Sequence, residues 1–260
     1  MGDRTAEIRR GVLEWLRDGS DSRFAEPYLP LQLARAIDAR LVDVWEALWG
    51  LLGEGLIFLD PAGQQTAGSW DNWRWRLSDV GKEVVKSGSW HPRDPERFLA
   101  RMHERAPGLE AAALGYLEEA LRAFNARCYL ASSVMLGVAA EHVFERLARA
   151  FVAAQPDDGA KLKRQLDDGT SQYRRFGEFR KRLEPIRSTL PDGLADAITL
   201  DAVADLLRVT RNAAGHPTGQ QVDAETAYTH LVMAAMLLAK MTELAQHFES
   251  AAAARVDGMV

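Results

Sequence analysis

Arg211 and His216 stand within one short stretch, TRNAAGHPTG, at residues 210–219. A histidine titrates near neutrality and can take or give a proton. An arginine binds anionic oxygens through a planar fork of N–H donors. Asn212 is placed to orient Arg211 or the anion that it holds. The same residues also suit a purely structural role. Arg211 would then pair with an acid such as Asp205 or Glu141, because an unpaired buried guanidinium is costly. His216 would then be a helix-end residue facing the helix dipole.

The pattern around the motif says how it is held. Leu200, Val203, Leu207 and Ala214 form an apolar stripe at helical spacing, and Arg211 falls on that stripe or its margin. Gly215 favours a helix end and Pro217 forbids continuation, so His216 is expected at the helix terminus, roughly one turn beyond Arg211. Long helices flank this one. PGLEAAALGYLEEALRAFNARCY places Leu109, Ala113, Tyr116, Leu117, Leu121 and Phe124 in register. LASSVMLGVAAEHVFERLARAFVAA does so with Leu136, Ala140, Val143, Leu147 and Phe151, and it stops at Gln155-Pro156-Asp157. The closing segment, DAETAYTHLVMAAMLLAKMTELAQHFES, puts Thr229, Val232, Met233, Met236, Leu237 and Met241 at core spacing. Long antiparallel helices of this kind make a bundle. Cys128 lies in an apolar run and reads as a core residue.

Between those helices lies a charged segment. Residues 161–187 carry nine Lys or Arg against four Asp or Glu. Arg174, Arg175, Arg180, Lys181 and Arg182 are interleaved with Tyr173, Phe176 and Phe179. Such a mixture suits single-stranded RNA, through phosphate attraction and base stacking. It also suits an ordinary amphipathic helix with a solvated basic face.

Residues 1–90 follow a different grammar. Ile8, Val12, Trp15 and Leu16 recur at helical spacing before Gly19. LPLQLARAID forms a second helix, and RLVDVWEALWGLLGEG a third with Leu41, Val44, Leu48, Leu51 and Leu52 on one face, ended by Gly53 and Gly55. LIFLD reads as a strand, PAGQQTAGS as a loop and WDNWRWRLSD as the returning strand. Ser78 is placed to cap a last helix, DVGKEVVKSG. GSWHPRDPERFLARMHERAPG, with three prolines, connects the two halves and holds one short helix.

Composition narrows the classes. The 260 residues are 47% hydrophobic and 27% charged, with a formal charge of −5, so the chain lacks the overall field of a nucleic-acid-coating protein. No apolar run spans a membrane and the N-terminus does not resemble a signal peptide, so no membrane partner and a cytoplasmic location are expected. Six histidines show no metal-ligand spacing, and neither a metal nor a cofactor is expected.

The order helix, helix, helix, strand, loop, strand, helix over residues 3–88 resembles MarR- and PadR-like winged-helix domains. That resemblance implies a third helix able to enter a DNA groove. However, residues 41–53 carry Asp43 and Glu46 and no Lys or Arg. Only Arg40, Arg74 and Arg76 offer DNA contacts, and protein docking or dimer support is the competing role. The tryptophans around them read as hairpin packing.

RNAAGH, with its helical context over residues 108–250, resembles the Arg-x4–6-His signature of the HEPN superfamily. The chain is therefore read as mainly α. A winged helix-turn-helix occupies 1–90, a linker 91–107, an all-α HEPN-like bundle 108–250 and a tail 251–260. The resemblance implies a metal-independent endoribonuclease working as a homodimer, in a toxin or antiviral-defence setting. RNA supplies its own nucleophile, the 2′-hydroxyl. Arg211, Asn212 and His216 would be catalytic, with Glu141 in support. In toxins governed by a nucleotidyltransferase antitoxin, a tyrosine follows the histidine by two residues; Thr218 stands there, so that regulation is not implied. The alternative is a non-catalytic DNA- or protein-binding regulator that dimerises through the bundle.

Overall fold

The computed structural model describes residues 2–18, 29–60, 74–87, 91–191, 193–194 and 221–257. The chain is mainly helical and divides into two compact units, Met1–His91 and Pro92–Val260.

In the first unit the order is α1 (Gly2–Asp18), α2 (Leu29–Ala36), α3 (Leu41–Gly53), β1 (Ile57–Asp60), β2 (Arg74–Leu77) and α4 (Asp79–Ser87). Val44, Ala47, Leu48 and Leu51 form the buried stripe of α3, and they meet Ile8, Val12 and Leu16 of α1. Leu41 and Leu52, at the edges of the expected stripe, are only partly buried. The helix ends as Gly55 takes a φ of +74°, a region that favours glycine, and Leu56 N–H returns to Leu51 O at 2.9 Å.

β1 and β2 pair antiparallel, with Ile57 opposite Leu77 and Leu59 opposite Trp75. Trp75 is buried beneath the hairpin and meets Trp45 and Trp49 of α3 edge-on, at ring-centroid distances of 6.2 and 5.9 Å. Trp75 therefore clamps hairpin to helix, the packing role expected of it, while Trp70 and Trp73 lie outside the described residues. Ser78 caps α4 as expected: its Oγ accepts from Gly81 N–H at 2.9 Å and donates to Gly55 O at 2.6 Å. A Cβ at Gly81 would overlap the Leu56 carbonyl oxygen. Gly81→Ala is therefore expected to lower the stability of this unit by about 1–3 kcal/mol, read as a fall in its unfolding midpoint. An unchanged midpoint would mean that α4 has room to shift.

The second unit holds α5 (Pro95–Arg105), α6 (Ala111–Asn125), α7 (Tyr129–Ala154), α8 (Pro156–Asp167), α9 (Gln172–Leu183), a 3-10 turn (Glu184–Thr189) and α10 (Ala224–Asp257). α5 starts with Pro95 in its first turn, and the Asp94 side chain accepts from Arg97 N–H. α10 continues through residues 251–257. α6 and α7 form an antiparallel hairpin: Arg146 Nη1 donates to Gly108 O at 2.6 Å, and His142 Nε2 lies 3.1 Å from Glu110.

Four expectations fail in this unit. First, α7 and α10 run parallel. Ser133 meets His230, Arg146 meets Glu249, and Arg255 donates to Ala154 O, so contact advances in the same direction along both helices. Second, Met233 and Met236 are exposed and so is Thr229, although Leu237 and Met241 are buried as expected. The buried face of α10 is instead Ala227, Leu231, Ala234, Ala235, Leu238, Thr242, Ala245 and Phe248. α10 packs on α7, whose buried residues include Gly137, Ala139 and Ala140. Third, Tyr116 is exposed on α6 while Leu109, Ala113, Leu117, Leu121 and Phe124 are buried. Fourth, Cys128 is exposed, because it sits in the α6–α7 corner just after Arg127, whose φ is +61°.

Phe144 and Phe151 of α7, Phe176 and Phe179 of α9 and Phe248 of α10 form a chain of ring contacts with centroids 5.2–5.6 Å apart from one ring to the next. This cluster fixes α9, with its cationic face, on the bundle.

Candidate functional site

Arg211, Asn212 and His216 lie outside the described residues, as do Asp205, Gly215 and Pro217. The site is therefore described from the helices on either side of the motif in sequence. Glu141 is exposed on α7 and makes no hydrogen bond or ion pair among the described residues. His142, next to it, faces Glu110.

The described histidine that follows the motif most closely in sequence is His230, two turns into α10. Its Nδ1 shares a 3.0 Å hydrogen bond with Ser133 Oγ, which is fully buried on α7. Burial holds the imidazole below its ordinary pKa, so the neutral ring predominates near neutrality. This pair was not foreseen. Its members are 97 residues apart, and no local pattern links them.

The charged segment runs over the end of α8, α9 and the 3-10 turn, and α9 carries Arg174, Arg175, Arg180, Lys181 and Arg182. Phe176 and Phe179 are buried against α7, so they do not stack on nucleic acid; the expected aromatic platform shrinks to Tyr173, which is 69% exposed. Helical geometry also separates the five cations into rows. Arg174 and Lys181 share one row, Tyr173 and Arg180 lie beside it, and Arg175 and Arg182 lie on the far flank.

The acids of this segment are largely taken up. Glu178 is buried, with Lys161 Nζ at 2.8 Å and Arg182 Nε at 2.9 Å. Asp167 pairs with Lys163, and Glu184 with Arg187. Arg174 and Lys181 make no side-chain hydrogen bond or ion pair among the described residues. The outer row of α9 is therefore cationic, while Arg182 is paired with Glu178.

Burial alone would raise the Glu178 carboxyl; the contacts with Lys161 and Arg182 outweigh it and hold the group below its ordinary range. A lowered carboxylate contributes stability that is present above its unfolded pKa and lost as pH falls through the folded value. Glu178→Gln should therefore lower the melting temperature at pH 7, and the gap from the parent chain should close on acidification. A gap that stays constant with pH would show that the ion pairs contribute nothing.

In the first unit, Arg40 Nε bonds Asp43 at 2.8 Å, and Arg76 Nε lies 2.6 Å from Asp60. Arg74 occupies β2 opposite Asp60. A cavity of about 270 Å³ between α1 and α3 is lined by Arg4, Arg9, Arg40, Asp43 and Glu46. Each arginine there already holds an acid: Arg4 has Glu7, Arg9 has Glu54 and Arg40 has Asp43. Val42 and Trp49 are exposed seven positions apart on α3, with Glu46 between them.

Among the described residues, no cluster of His, Cys, Asp or Glu could hold a metal ion, and no helix is long and apolar enough to cross a membrane. Comparison with known protein families, curated proteins and solved structures gives no match.

Proposed function

We propose that the chain is a metal-independent endoribonuclease whose second unit is a HEPN-like bundle and whose first unit is a winged-helix domain. The observation that carries the reading is the Arg211-Asn212-x3-His216 motif, set in sequence between the cationic helix α9 and the long helix α10. In this reading Arg211 holds the scissile phosphate and stabilises charge on its oxygens. His216 takes the 2′-hydroxyl proton or protonates the leaving 5′-oxygen. The 2′-oxygen forms a bond to phosphorus as the bond to the 5′-oxygen breaks. The products are a 2′,3′-cyclic phosphate and a 5′-hydroxyl. One histidine of the motif per chain favours a homodimer, in which two copies supply an acid and a base. Glu141, exposed on α7 among the described residues, would support Arg211 in this reading. A toxin or defence setting belongs to the resemblance alone.

The test is incubation of the purified full chain with mixed RNA in EDTA. Cleavage yielding cyclic-phosphate ends supports the reading; RNA left intact over a range of protein concentrations overturns it.

A second reading, a non-catalytic regulator, draws support from the first unit. Arg40 and Arg76 are held by Asp43 and Asp60, α3 has no Lys or Arg, and it exposes Val42 and Trp49. That chemistry favours a protein partner over DNA. Salt-dependent binding of duplex DNA, lost in the Arg74→Ala/Arg76→Ala double variant, would instead assign DNA to this unit.

A further inference from the structure

The outer face of α9 contains three choices that do not serve the helix. Its first turn holds Arg174 and no acid, although the N-terminal end of a helix favours negative charge. Ser171 occupies the N-cap yet its side chain makes no capping bond. Gly177 sits in the middle of the helix, where glycine is unfavourable, and a Cβ there would meet nothing within 4 Å. Neither packing nor a positive φ requires that glycine. The basic residues of the last turn, Arg180 and Lys181, do suit the helix dipole; Arg174 and Gly177 do not.

The four residues spaced three and four positions from Gly177 are Tyr173, Arg174, Arg180 and Lys181. On a helix those are its surface neighbours, about 5–6 Å away between Cβ atoms. One exposed aromatic ring and three cations thus frame a spot of bare backbone. The buried side of the same helix is anchored by Phe176, Phe179 and Leu183, so the frame stands on a rigid element. Glu178, the single acid of α9, is buried with Lys161 and Arg182, and Arg174 and Lys181 have no ion pair among the described residues.

We infer that the Tyr173–Arg174–Gly177–Arg180–Lys181 face of α9 is a docking platform for single-stranded RNA, with one base stacked on Tyr173 and the sugar–phosphate chain crossing at Gly177 between the cations. This deepens the ribonuclease reading and rests on it for the choice of RNA. A flat aromatic ring beside cations suits an unpaired base with its phosphates better than a duplex, whose bases are already stacked.

The test uses a fluorescent 2′-O-methyl single strand of about 20 nucleotides, which covers a typical site and lacks the free 2′-hydroxyl. Anisotropy is read with the full chain over a salt series. Tyr173→Ala is expected to weaken binding roughly tenfold, the effect of one lost base stack. Arg174→Ala/Lys181→Ala should reduce the slope of log affinity against log salt by about 1.4, two phosphate contacts on a single strand. Gly177→Leu should raise the melting temperature, because leucine is the better helix former, while weakening binding several-fold.

Binding unchanged in Tyr173→Ala and in Gly177→Leu overturns the inference, as does absence of any binding by the parent chain at low salt. Equal competition by duplex DNA, by an acidic peptide or by phosphatidylserine vesicles overturns it as well. Cleavage of ordinary RNA by the same preparations is scored separately. Binding without cleavage overturns the ribonuclease reading and leaves the platform standing. Cleavage with unaltered binding in the variants does the reverse.

Discussion

Arg211→Ala and His216→Ala are each expected to reduce RNA cleavage by at least about a hundredfold while leaving the helical circular-dichroism signal and the melting temperature close to those of the parent. The magnitude follows from the two roles. Loss of a positioned general acid or base costs on the order of 10²–10⁴-fold, and loss of a group stabilising transition-state charge about 10²–10³-fold. The two substitutions should not multiply, because residues that act as a unit lose most of their effect once one is gone. Asn212→Ala should cost less, since its part is to orient Arg211 or the phosphate. A quantitative cleavage time course checks the order. A structural role gives a different pattern: replacing a buried, paired Arg211 would lower the melting temperature, and any activity would fall only in step with the folded fraction.

Phe151→Ala is expected to produce the largest loss of stability, about 3–5 kcal/mol. Phe151 is fully buried and meets Phe179 and Phe248 edge-on, at 5.5 and 5.2 Å between ring centroids. It therefore links α7 to both α9 and α10. Removing the ring loses its transfer free energy, leaves a cavity and breaks two aromatic contacts. For a domain of this size the melting temperature of the second unit should fall by roughly 10 °C. Tyr173→Ala is the matched control, because Tyr173 is largely exposed and should change stability by less than about 0.5 kcal/mol. A small effect for Phe151→Ala would mean that α9 is not anchored through this cluster.

These two predictions probe parts of the molecule that were unequally legible in the sequence. Where one residue type answers one local need, the reading held. Ser78 stands ahead of a polar-apolar helix and caps it, Gly55 ends α3, and Leu136, Ala140, Val143, Leu147 and Phe151 recur at the helical period and are buried. The order of helices and strands over residues 3–88 was legible for the same reason.

Where the answer depends on what lies across the bundle, the reading failed. Met233 and Met236 fit a helical stripe as well as Ala227, Leu231 and Ala234 do, and size alone favoured the methionines. The packing across the bundle buries Ala227, Leu231 and Ala234 and leaves Met233 and Met236 to solvent, a choice that no local pattern records. The aromatics of α9 failed likewise. Phe176 and Phe179 are interleaved with arginines in the chain, yet the helix sends them to the core and leaves Tyr173 outside. The distribution of charge was invisible as well, because Glu178 takes up Lys161 and Arg182 from two helices and leaves Arg174 and Lys181 to solvent. For the motif itself, residue types and spacing alone carry the account.

The central claim is attack by the substrate's own 2′-hydroxyl on the phosphate that Arg211 holds, with His216 as the group that takes or gives the proton. Its most direct test is a synthetic RNA with one 2′-deoxyribose placed at a mapped cleavage position, digested by the full chain in EDTA and resolved on a sequencing gel. The account predicts that cleavage at that position disappears while the neighbouring sites are still cut. Continued cleavage at the deoxy position would contradict it.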